Sequence, residues 1–315
     1  MIERIKIHNP TDFGKVAVMY GGSSSERKIS IRTGKAVLDA LLALKVDAHG
    51  WDTAKRNFVE LSDAKFDRVW VALHGSGGED GSIQGVLEWL GIPYTGSGIL
   101  ASASAIDKIV TKDILTGKGI LTPAYRVVTS RGDILKAIEE FKFPLILKPS
   151  DQGSSVGMSL LSHETDINKA IELALGFNGI AFIEEYIVGE EITVAILQGE
   201  ALPSIRIETP HKFYDYRAKY ESKETKYVCP GINDVRLENQ YRELALNTFN
   251  SIRCEGWGRV DFIKANSGQP QVLEVNTIPG MTKNSLFPIA ASKLGIHFDE
   301  LCWRILETSM IRHQE

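Results

Sequence analysis

GWGRVDFIKANSGQPQVLEVN, residues 256–276, holds two β-rich runs around a polar Ser-Gly turn. Val260, Phe262 and Ile263 precede the turn, and Val272, Leu273 and Val275 follow it, a pattern that predicts an antiparallel hairpin. With the turn centred on Ser267–Gly268, Asp261 faces Glu274 and Arg259 faces Asn276. Strand alternation then puts these four side chains on one face, and Val260, Phe262, Leu273 and Val275 on the other. Two opposed carboxylates repel each other, and a hard divalent cation removes the repulsion. Asp261, Glu274 and Asn276 offer only oxygen donors, which suits magnesium held together with nucleotide phosphates. Arg259 beside them would stabilise negative charge on a reacting centre. The competing reading is a solvent-facing strand surface with a diagonal Glu–Arg pair, and a bulge would break the register.

Upstream, PLILKPSDQGSSVG (144–157) ends a strand on Lys148 and runs into a glycine-serine loop before the next strand, GMSLL (157–161). Glycines let backbone N–H groups approach a phosphate, Ser154 and Ser155 add hydroxyl donors, and Lys148 supplies charge at the base. This is not a Walker A loop: no GxxxxGK[ST] is present, and a strand follows instead of a helix. Taken alone, GSSVG also reads as a hairpin turn; its weight comes from the acidic hairpin downstream.

The first third alternates strands with helices: KVAVMY (15–20), a helix after GGSSSER (21–27), RVWVALHG (68–75), a helix at 82–90 and one long helix from Ser97 to Gly117. Such alternation implies a parallel sheet whose ligands sit at the carboxyl ends of the strands, where GGSSSER and HGSGGEDG fall. GSGILA (96–101) reads as a helix-start turn, not a dinucleotide fingerprint. Lobes are expected at 1–110, 111–200 and 201–315, the last containing the polar aromatic stretch 211–231 as a candidate lid.

The chain has 315 residues, 43% hydrophobic and 24% charged, with a formal net charge of −4, so a globular protein is expected and a nucleic-acid partner is not. Three scattered cysteines without CxxC spacing predict reduced thiols, not a disulfide framework or a zinc site. The start of the chain lacks an apolar signal region and no run reaches about 18 apolar residues, so a cytoplasmic protein without a membrane partner is expected.

GGSSSER, LHGSGGEDG, KPSDQGSSVG, FYDYRAKY, GWGRVDF and LEVNTIPGMT, in that order, resemble the D-alanine–D-alanine ligases of the ATP-grasp superfamily, along nearly the whole chain after about residue 14. The resemblance implies a mixed α/β and α+β ATP-grasp fold with an N-terminal Rossmann-like parallel-sheet lobe and two ATP-clamping lobes. It implies two D-alanines and ATP as substrates, two magnesium ions (manganese as the alternative), a homodimer, and a product used in peptidoglycan. Lys108 and Lys148 match phosphate contacts, with Ser155 in the same loop; Glu184, Glu185, Tyr186 and Ile187 match the adenine hinge, and Glu191 the ribose contact. Asp261, Glu274 and Asn276 match the metal ligands.

By the same resemblance, Glu26 holds the first substrate's ammonium and is tied by Ser154 and Tyr220 to the mobile loop. Arg259 and the Gly280 N–H match oxyanion donors, and Ser285 with the Leu286 N–H the site for the second carboxylate. His74 and Lys219 match groups near the intermediate and the transferred phosphate. By spacing alone Ser23-x-x-Glu26 is also a capping box and Ser285 a helix N-cap. Lys219–Tyr220 favours an amine as second nucleophile over a hydroxy acid. Ser76 replaces a frequent Arg or Lys, Asp151–Gln152 replace a frequent Arg-Glu, and Ile278 replaces a small residue, which would narrow the pocket. Two other readings are a ligase for D-lactate or D-serine and a catalytically idle ATP-binding regulator.

Overall fold

The computed structural model describes residues 5–151, 153, 157–176, 180–209, 224–266 and 268–313. The first sheet is parallel, in the order β2-β1-β3, from β1 (Lys15–Tyr20), β2 (Asp47–Asp52) and β3 (Arg68–Val71). Helix α1 (Arg27–Ala43) connects β1 to β2, and α2 (Phe58–Asp63) connects β2 to β3. The β1 core residues Val16–Met19 are wholly buried, as an apolar run covered on both faces requires. Strand β2 (DAHGWD) was not legible in the sequence, because its polar residues hide an alternation in which only Ala48 and Trp51 are buried.

Three helices follow: α3 (Ser82–Trp89), α4 (Ile99–Ile106) and α5 (Lys108–Gly117). The single helix expected over Ser97–Gly117 is therefore broken. Asp107 adopts an extended ψ of 105° and its carboxylate accepts hydrogen bonds from the Ile109 and Val110 N–H groups, so it starts a new helix. This break sets Lys108 at the mouth of the cleft. Gly98 is the N-cap of α4, in keeping with a helix-start turn.

An antiparallel sheet, β4-β7-β5-β6, comes next, from β4 (Tyr125–Val128), β5 (Leu145–Pro149), β6 (Ser159–Leu161) and β7 (Ala181–Glu185). Helices α6 (Arg131–Phe141), capped by Ser130, and α7 (Ile167–Leu175) cover it and close a core of its own. The last sheet is antiparallel with the order β11-β10-β8-β12-β13, from β8 (Gly189–Leu197), β9 (Glu200–Ala201) paired to it, β10 (Ile205–Glu208), β11 (Lys226–Val228), β12 (Trp257–Ala265) and β13 (Pro270–Asn276). Strand β8 lies before the lobe boundary expected at residue 200, yet it pairs along its whole length with β12. Sheet membership thus changes between Glu185 and Gly189.

Helix α8 (Val235–Ser251) packs under this sheet, with Tyr241 edge-on to Phe262 at 5.4 Å. The chain then returns to the first sheet through α9 (Leu286–Ser292) and α10 (Phe298–Glu307), which share one core with β1 and β3. Phe13, ahead of β1, is wholly buried and stacks edge-on with Trp303 at 4.8 Å.

Candidate active site

The hairpin β12–β13 opposes Asp261 to Glu274 and Arg259 to Asn276, as expected. The register then slips by one residue between Asp261 and Phe262, so Phe262 pairs with Val272 and Ile263 with Gln271. Leu273 is the extra residue of this β-bulge. It leaves the buried face, where Val272 takes the place expected for it beside Val260, Phe262 and Val275. The polar face survives because the slip lies on the turn side of all four residues.

Arg259 pairs along its own strand with Asp261. Its Nε and Nη2 each donate to one oxygen of Asp261, both at 2.7 Å, from two positions along the same strand. Thr193 of β8, opposite Asp261 across the sheet, donates to the same carboxylate at 2.5 Å. Thr193 was missed because only the pairing of β8 with β12 brings it there. Lys108 Nζ lies 3.6 Å from Glu274 Oε2, with only 13% of the lysine side chain exposed. Among the described residues no three His, Cys, Asp or Glu side chains cluster as a metal cage. Two carboxylates and a carboxamide on one partly exposed face fit an ion that takes its remaining oxygens from phosphates and water.

A cavity of about 330 Å³ collects the expected substrate groups from both ends of the chain: Glu26, His74 and Lys108 on one side, and Arg259, Glu274, Asn276, Gly280, Ser285 and Leu286 on the other. Glu26 precedes α1 without capping it. Its N–H is taken by Ser24 Oγ at 3.2 Å, so the capping-box reading of Ser23-x-x-Glu26 fails, and the buried residue lines the cavity. The loops at the strand ends are laced together: Ser24 Oγ donates to His74 O at 2.7 Å, and Ser30 Oγ to Ala72 O at 2.7 Å. Backbone crowds the Glu26 carboxylate, since a Cβ on Gly153 or Gly75 would sit 2.8 or 2.9 Å from its Oε2. Gly153 therefore lies against Glu26; Ser154 and Ser155 lie outside the described residues, as do Lys219 and Tyr220.

Glu79 was not singled out from the sequence, yet it lines the same cavity. Burial, with the charge of Glu26 nearby, pushes its carboxyl up to about 8, although it accepts the Gly75 N–H at 2.7 Å. Burial lowers His74 below its ordinary value, so its neutral ring is favoured; Nε2 lies 3.0 Å from Thr33 Oγ1. Ser285 Oγ does not cap α9; it binds the Thr282 N–H at 3.0 Å and the Thr282 hydroxyl at 2.9 Å. Ile278 points into the core at 2% exposure and does not narrow the pocket. Ser76 is exposed and bonded to Asp80.

The nucleotide side is built differently. Glu184, at 1% side-chain exposure, lies between Lys148, which bonds its Oε1, and Lys112, whose Nζ is 2.8 Å from Oε2. Burial opposes its ionisation, but the two lysines outweigh that and hold its carboxyl below the usual range. Lys112 is itself buried and donates to Thr122 Oγ1 at 2.7 Å and Pro123 O at 3.1 Å. In the sequence it was one more helix lysine. Glu185, Tyr186 and Ile187 leave the end of β7 half-buried, and Glu191 opens β8 opposite Ile263.

The sequence matches the family description "D-ala D-ala ligase N-terminus" over residues 45–97 and "D-ala D-ala ligase C-terminus" over 114–307. The chain belongs to the D-alanine–D-alanine ligase family. It is 46% identical over 304 residues to a D-alanine–D-alanine ligase of Methylococcus capsulatus, covering 96% of this chain and 98% of that one. The ATP complex of the Bacillus anthracis D-alanine–D-alanine ligase superposes with a TM-score of 0.82 at 33% identity, covering 94% and 97% of the two chains. The VanG D-Ala:D-Ser ligase of Enterococcus faecalis superposes with a TM-score of 0.80 at 28% identity, covering 94% and 99%. The fold is that of an ATP-grasp ligase, and the chain is an ATP-dependent enzyme that forms a peptide bond.

Proposed function

We propose that this chain condenses two D-alanines in the cavity between Glu26 and Ser285. The observation that carries the reading is the opposition of Asp261 and Glu274 on a hairpin face next to Lys108 and Arg259. ATP lies between the second and third sheets, its triphosphate toward Lys148, Lys108 and the serine loop, its adenine at Glu184–Ile187 and its ribose at Glu191. Magnesium, held by Asp261, Glu274 and Asn276, neutralises phosphate charge when bound.

Glu26 receives the ammonium of the first D-alanine and so aims its carboxylate at the γ-phosphate. A carboxylate oxygen attacks phosphorus, ADP leaves, and an acyl phosphate forms. The amine of the second D-alanine, held by its carboxylate at Ser285 and the Leu286 N–H, attacks the carbonyl carbon. Arg259 and the Gly280 N–H take the developing oxyanion, and collapse of the tetrahedral adduct expels phosphate. An acyl phosphate hydrolyses in open water, so closure of the 211–231 stretch over the site, with Lys219 and Tyr220, belongs to this proposal.

Glu274→Gln is expected to abolish D-alanine-dependent phosphate release, a loss on the order of 10³-fold or more. Near-normal turnover would refute the metal assignment. The likeness to a D-Ala:D-Ser ligase favours one alternative, a hydroxylated second substrate. Product identification with paired D-alanine and D-serine decides it, and a mixed dipeptide as main product would defeat the D-alanine reading. The dimeric assembly is also proposed, and light scattering tests it.

A further inference from the structure

Helix α1, which Glu26 immediately precedes, carries a second polar group about two turns on from that residue. Thr33 is wholly buried, lines the cavity, and has no role in the reaction scheme above. Its Oγ1 lies 3.0 Å from His74 Nε2 and accepts a hydrogen bond from the Met281 N–H at 3.4 Å. The same hydroxyl therefore shares hydrogen bonds with both groups, and the histidine tautomer sets the donor in the bond to His74. The His74 ring is also hydrogen-bonded to the Ile278 backbone. One hydroxyl therefore joins α1 to the 278–281 segment by two routes, directly through Met281 and through His74 to Ile278. Gly280 lies between those two anchors, and Met281 is itself fully buried, so the segment has little freedom to drift.

We propose that Thr33 is a positioning residue for the ligation, setting the Gly280 N–H against the reacting carbonyl from the same helix that presents Glu26. The first substrate is then gripped at its ammonium and at its developing oxyanion by groups with a common reference. The inference rests on the reading of Gly280 as an oxyanion donor. Thr33 touches no substrate. It acts by fixing a donor whose misplacement by a fraction of an ångström weakens stabilisation of the transition state.

The test is Thr33→Val, which keeps the shape and removes the hydroxyl, beside Thr33→Ser, which keeps the hydroxyl. Thr33→Val is expected to lower kcat by about 10- to 100-fold. KM for ATP should stay within about twofold, and Thr33→Ser should recover most of kcat. A Thr33→Val enzyme with kcat within about twofold of the parent, or a serine variant as slow as the valine one, would overturn the proposal. Should Thr33→Val not fold, Thr33→Ser against Thr33→Ala, which differ by the hydroxyl alone, decides on the same kcat criterion. Gly280→Pro removes the N–H itself, and retained kcat there would sink the oxyanion reading together with the proposal. A slow Gly280→Pro beside a normal Thr33→Val would overturn only the role of Thr33.

Discussion

The two ends of the cleft treat buried carboxylates in opposite ways. At the nucleotide end, Glu184 sits between Lys112 and Lys148 and is held ionised, leaving a surplus of one positive charge on the three side chains. At the amino-acid end, Glu26 and Glu79 share a wall with a neutral histidine, and burial, helped by the charge of Glu26, pushes Glu79 up to about 8. A cationic surplus suits a triphosphate, and a carboxylate beside a protonated neighbour and a neutral ring suits an ammonium. Each end is preorganised for the charge it receives, which costs stability before substrate arrives.

Lys112 is the sharpest place to break this contrast. Lys112→Met takes one partner from a buried ion pair, which typically costs about 3–5 kcal/mol. Urea denaturation should show that loss, along with a raised KM for ATP; an unchanged midpoint would mean that Glu184 does not depend on its second lysine. Glu26→Gln keeps the shape and removes the charge that an ammonium needs. A charged hydrogen bond is worth about 1.5–3 kcal/mol, so KM for the first D-alanine should rise by about 10- to 100-fold, with KM for ATP unmoved. Equal effects on both substrates would erase the distinction between the two ends.

A third expectation concerns pH. Glu79 titrates near 8 in the folded protein against an ordinary 4.5, so the native state binds more protons than the unfolded chain between those values. Stability should therefore fall as pH rises from about 5 to 8, by about 1.4 kcal/mol per pH unit at the steepest. Glu79→Gln should remove that slope from urea midpoints measured across the range. A slope that persists would assign it to other groups.

Much of this was legible in the chain. Hairpin periodicity gave the Asp261–Glu274 opposition, and the order of motifs gave the family and the parallel first lobe. The missed features share one cause. Leu273 was placed on the buried face because a bulge is invisible to strict alternation, and Ser23-x-x-Glu26 was open to a capping reading because spacing does not say which way a carboxylate turns. Strand β2 hid behind polar residues, and the split of one long helix at Asp107 needed its ψ angle.

By itself the sequence determined which residue types stand at which strand ends, and so the chemistry on offer: oxygen donors on a hairpin, a lysine closing a strand, glycines where backbone must approach. Local spacing and charge are enough for that. Tertiary structure alone decided which of these groups meet. Thr193 reaches Asp261 from β8, Lys112 reaches Glu184 from helix α5, and Thr33 reaches Met281 across 248 positions of chain. Burial at those meetings shifts protonation and fixes donors, and burial is a property of packing that no run of residues carries alone.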